Sequence, residues 1–169
     1  MRKKLLIALT EYDNREPGVT IPGDMVCGPY SLNVESLLIS NQESESSDRL
    51  VGTGDAKLTL ITSKERQNYG SIRKIAFEYA VEKEFDFLVV VDSVKKLASD
   101  QVAVLVEPLL AGKTDACIGC PEADVNSSPM LPAGLSGMKK AASHTNLRAY
   151  RVDAVKDLPF RYNADSRGF

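Results

Sequence analysis

Lys4 to Leu9 reads Lys-Leu-Leu-Ile-Ala-Leu, a short, nearly continuous apolar run of the kind expected for a strand covered on both faces. The stretch from Asp13 to Tyr30 contains Pro17, Gly18, Pro22, Gly23, Gly28 and Pro29. That density of breakers argues against a regular helix and predicts a loop with at most a short helical piece. A second strand is predicted over Glu35 to Ser40. The polar stretch Asn41 to Asp48 follows, with too little apolar content to be anything but surface. Lys57 to Thr62 alternates and is β-branched enough for a third strand.

Two helices stand out by spacing. Ile72, Ile75, Ala76, Tyr79 and Ala80 recur at one-turn intervals, leaving Arg73, Lys74, Glu78 and Glu82 on the outer face. Val102, Leu105, Val106, Leu109 and Leu110 repeat that spacing after Ser99, a candidate N-cap, and Gly112 stands where a left-handed C-terminal residue belongs. Between the helices Phe85 to Asp92 reads as a buried strand, and Asp115 to Gly119 supplies another. Asp124 to Gly137 is rich in Pro, Ser, Asn and Gly and reads as a long loop. Leu147 to Val152 is a last candidate strand, and Asp153 to Leu158 one or two turns of helix closed by Pro159. Strands alternating with helices at this spacing predict an α/β fold, with a mostly parallel central sheet and helices on both faces. No internal repeat is visible.

Bulk composition narrows the function classes. With 169 residues, 43% of them hydrophobic, the chain suits one domain with a real core. A formal charge of -2 offers no concentrated positive field for nucleic acid. No stretch approaches the roughly 18 continuous apolar residues of a membrane span, and no cleavage signature follows the charged N-terminus. The three cysteines, Cys27, Cys117 and Cys120, lack the pairing of a disulfide framework, which fits a reducing cytoplasm. Cys117 and Cys120 do match C-x-x-C, but Ala116-Cys117-Ile118 reads as a strand, whereas a redox pair sits at a helix start, so packing is the favoured role.

In open parallel sheets, ligands bind beyond the carboxyl ends of the strands. The candidates there are Glu11 and Tyr12 after the first strand, Asn41 and Glu43 after the second, and Asp92 after the fourth. Asn68-Tyr69-Gly70-Ser71 opens a helix, and its backbone N–H groups would suit a phosphate or serve as a simple N-cap with a turn glycine. Asp92 has two readings as well: a single hard oxygen ligand for a divalent cation, or a cap for the following turn. His144, the sole histidine, lies near Arg148 with no recognisable nucleophile beside it, which favours a structural histidine.

The middle of the chain carries a family pattern. "AFEYAVEKEFDFLVVVDSV" (Ala76 to Val94) and "VLVEPLLAGKTDACIGC" (Val104 to Cys120) resemble the inverting family-two glycosyltransferases, especially the polyprenyl-phosphate sugar transferases related to dolichol-phosphate mannose synthase. In that family a "GFEYA" helix leads to a strand ending in D-x-D, then to "LLEPL" and "AD-VVIGSR". The segment from His144 to Phe169 is similar to the family's "SGFRAY" region and its sequel, with Asn146 in place of glycine. "LLIALTEYDNRE" and "LLISNQESESSD" loosely match the family's two nucleotide-binding motifs. The resemblance implies a single Rossmann-like GT-A domain over residues 1–169 that binds a nucleoside diphosphate sugar. It places Glu11, Tyr12, Asn41, Glu43, Gly70 and Asp92 on the donor, Asp92 on a weakly held Mg²⁺ or Mn²⁺, and His144 and Arg148 on the acceptor side.

The departures from that pattern shape the expected chemistry. Val94 stands at the second acid of D-x-D, and Ser40 and Asn41 stand at the family's paired aspartates. The family's catalytic base lies beyond the equivalent of Phe169, where this sequence stops. Loss of a general base is worth about 10²- to 10⁴-fold, so impaired or altered transfer is expected. A non-catalytic binding or regulatory module on the same fold, pairing with an intact transferase or a second copy, is the alternative. A nucleotidyl-transferase-like enzyme is disfavoured, because "TEYDNREPG" offers only Arg15 and Gly18 to a phosphate loop.

Overall fold

The structure, a computed structural model, describes residues 2–11, 23–40, 57–62, 69–91, 99–119 and 147–157. In chain order these form β1 (Lys3–Glu11), β2 (Asp24–Cys27), β3 (Tyr30–Ser40), β4 (Lys57–Thr62), α1 (Tyr69–Glu82), β5 (Phe87–Val91), α2 (Ser99–Leu110), β6 (Ala116–Ile118), β7 (Leu147–Arg151) and α3 (Val152–Val155). The fold is α/β, built on one seven-stranded sheet in the order β2-β3-β1-β5-β7-β6, with β4 also on β3. Pairings β1–β3, β1–β5 and β3–β4 are parallel, whereas β2–β3, β5–β7 and β6–β7 are antiparallel, so the sheet is mixed.

One element corrects the sequence reading. The breaker-rich stretch expected to be loop contains β2, which forms a hairpin with β3, and β3 starts at Tyr30 instead of Glu35. Cys27 pairs with Tyr30 across the two-residue turn Gly28-Pro29, and Gly28 takes φ 56°. Proline cannot adopt positive φ, so a turn with its left-handed residue first and proline second matches the type II′ geometry that suits a twisted hairpin. The breakers therefore mark the corner of a hairpin. Met25 and Cys27 point inward while Asp24 and Val26 face solvent, the two-residue alternation of a half-buried strand.

Two apolar clusters form the core. Alternation along β1 sends Leu5, Ile7 and Leu9 into one, with Val89 of β5 and Val102, Val106 and Leu109 of α2. Leu6 and Ala8 enter the other, with Leu88 and Val90 of β5, Ile72, Ala76 and Ala80 of α1, and Val155 of α3. All five residues of β5 are buried, which accounts for its unbroken apolar sequence. Each fully buried leucine, such as Leu5 or Leu88, contributes about 1.5–3 kcal/mol by leaving water.

Both long helices stop through the same device. After α2, the amide of Lys113 donates to the Pro108 carbonyl at 2.9 Å and that of Gly112 to Leu109 at 3.1 Å, with Gly112 at φ 65°. This is the paired-bond termination that the sequence position of Gly112 predicts. α1 ends likewise, but its left-handed residue is Glu84, at φ 55°.

Candidate functional site

The parallel register decides where the candidate residues can meet. Glu11 at the end of β1 pairs with Ser40 at the end of β3, and Ser40 pairs with Thr62 at the end of β4. These three backbone positions form one row about 10 Å across, from two strand spacings of ~4.8 Å. On the other side of β1, Val91 pairs with Leu9, so β5 stops about 7 Å short of the Glu11 level along the strand axis. Because β7 is antiparallel, its first residue, Leu147, pairs with Val91 at this same edge. The amide of Gly119, just after β6, donates to the Leu147 carbonyl at 2.9 Å and brings a further chain exit there.

Helix direction adds to this convergence. The last turn of α1 lies at the opposite edge, where Lys4 Nζ donates to the Lys83 carbonyl at 3.2 Å and Asp86 pairs with Lys4. With 14 residues, α1 is about 21 Å long and runs from that edge back toward the row of strand ends. Its first turn contains Tyr69, Gly70 and Ser71, as the sequence predicts, and Gly70 is half-buried. α2 is oriented the same way, because its C-terminal turn precedes Asp115, whose carbonyl accepts from the Arg151 amide at 2.9 Å at the far edge. Both helix N-termini are thus directed toward the edge where the parallel strands end, and at α2 the Gln101 amide donates to Asp100 Oδ1 at 2.9 Å.

Of the predicted site residues, Glu11, Gly70 and Arg148 lie within the described elements, and for Glu11 the backbone position alone is described. Tyr12, Asn41, Glu43, Asp92 and His144 lie outside the described residues. Asn41 and Asp92 directly follow Ser40 and Val91, and Tyr12 directly follows Glu11. Thr62 belongs to the same row but was not among the candidates. Its place at the end of a predicted strand was the available signal.

Arg148 sits inside the sheet, paired with Val90 on β5 and Ile118 on β6, and only 5% of it is exposed. By strand alternation it shares a face with Tyr150, whose ring meets Phe77 of α1 edge-on at 4.9 Å between centroids. This position brings a guanidinium-bearing side chain into the layer one residue from the candidate edge.

Among the described residues, Cys27 and Cys117 show no activation. Cys27, the last residue of β2, is buried in the cluster that α2 also enters, where burial first and the Glu107 carboxylate second push its pKa up. Cys117 is free, half-buried on β6 and also raised by burial. A strand position with a raised pKa is the opposite of a reactive redox cysteine. Cys120, the other half of the C-x-x-C, lies outside the described residues.

No family model, curated protein or solved structure matches the chain. Among the described residues, no group of three or more His, Cys, Asp or Glu side chains is placed to hold a metal ion. Also among them, no helix is long and apolar enough to cross a membrane. What the described arrangement offers is an edge where the parallel strands end and toward which the first turns of α1 and α2 are directed, the place at which open α/β sheets hold ligands.

Proposed function

We propose that this edge binds a nucleoside diphosphate sugar, on a Rossmann-like GT-A domain spanning residues 1–169, with transfer chemistry impaired or altered. The observation that carries the reading is the register row Glu11–Ser40–Thr62, with Val91 and Leu147 beside it. The parallel pairing β4-β3-β1-β5 and the separate apolar clusters around α1 and α2 support the Rossmann-like part. In this reading Glu11, Tyr12, Asn41 and Glu43 contact the nucleoside, and the backbone at Gly70 faces phosphate. Asp92 holds Mg²⁺ or Mn²⁺ weakly, and His144 and Arg148 stand on the acceptor side. When bound, the ion would neutralise charge on the diphosphate leaving group. One carboxylate is a poor grip for it, since hard cations at such sites take one or two carboxylates plus phosphate oxygens and water.

Titration calorimetry with UDP- and GDP-sugars in the presence of Mn²⁺ tests this. Saturable heat with at least one donor is expected. Neither heat nor a thermal shift across the donor panel overturns it. A second reading, a non-catalytic partner of an intact transferase, is favoured by Val94 at the second acidic position of D-x-D. Sugar transfer by the isolated protein would remove that reading.

A further inference from the structure

We draw no further inference here: the strongest candidate, the buried side chain of Arg148 on β7 beside the edge where the parallel strands end, belongs to the site already described.

Discussion

The amide of Phe85 donates to the carbonyl of Ala80 at 2.9 Å, closing the end of α1 over a glutamate held in the left-handed region. The companion bond runs from the Glu84 amide to Val81 at 3.2 Å. A side chain at φ 55° carries a steric cost of about 1–2 kcal/mol that glycine avoids. Glycine also gives the unfolded chain more freedom, which offsets about 0.4–1 kcal/mol of that gain. Glu84→Gly is therefore expected to stabilise the protein by about 0.5–1 kcal/mol. A urea titration reads this as a higher midpoint at unchanged slope, and a lower midpoint contradicts the account.

At the edge away from the candidate site, Asp86 joins β5 to β1 through its side chain as well as its backbone. Its carboxylate accepts from the Lys4 amide at 2.8 Å and from Lys3 Nζ at 2.8 Å. The amide bond lies at an exposed strand start, where water can replace the lost acceptor, and the lysine contact is part-buried, so each is worth about 1 kcal/mol or less. Asp86→Ala removes both contacts, Lys3→Ala only one. Asp86→Ala should cost about 1–2 kcal/mol in denaturant unfolding and Lys3→Ala under about 1 kcal/mol. Equal losses would mean that the amide bond adds nothing to the ion pair.

Arg151 stands between two carboxylates, with Asp115 Oδ1 at 3.0 Å and Asp153 Oδ2 at 2.7 Å. The hydrogen bond from Arg151 holds the Asp153 carboxyl below the ordinary aspartate range. A depressed folded-state pKa means that the unfolded chain binds the proton more readily. The contribution is complete above the unfolded value near 4 and disappears as pH falls through the folded value. Asp153→Asn should consequently lie below the parent in stability at pH 6, with the gap closing in acid. Urea midpoints measured from pH 6 to pH 2 check this, and a gap that widens on acidification contradicts it. Exposure of both side chains keeps the effect modest.

Restoring the missing acid tests the proposed site by gain of function. Val94→Asp supplies a second carboxylate beyond β5 and should tighten Mn²⁺-dependent donor binding by about tenfold or more, as a second hard ligand does. Asp92→Asn should abolish the metal dependence. Calorimetry with and without Mn²⁺ distinguishes the cases. Unchanged metal dependence in both variants would place any bound ion elsewhere.

Much of the architecture was legible because burial imposes a period. Ile72, Ala76 and Ala80 on α1, and Val102, Val106 and Leu109 on α2, all enter the core from positions that their one-turn spacing marks. The unbroken apolar run of β5 likewise announced a strand buried throughout. β2 escaped because four residues give too few alternations to outweigh the surrounding prolines and glycines. Strand direction also escaped: the apolar pattern of β7 is compatible with either orientation, and the antiparallel choice shows only in its pairing with β5. For the candidate site, the level of each strand end comes from pairing partners distant in sequence. Spacing could nominate Glu11 and Asn41, but only register sets the Glu11 and Ser40 backbones side by side.

Among the described strands β6 pairs only with β7, and β7 lies between it and β5. During synthesis β6 leaves the ribosome before β7, its partner in the folded sheet. At about 5–20 residues per second it waits on the order of seconds for its neighbour. Among the described strands the sheet is therefore finished out of order, β6 being translated before the β7 that attaches it.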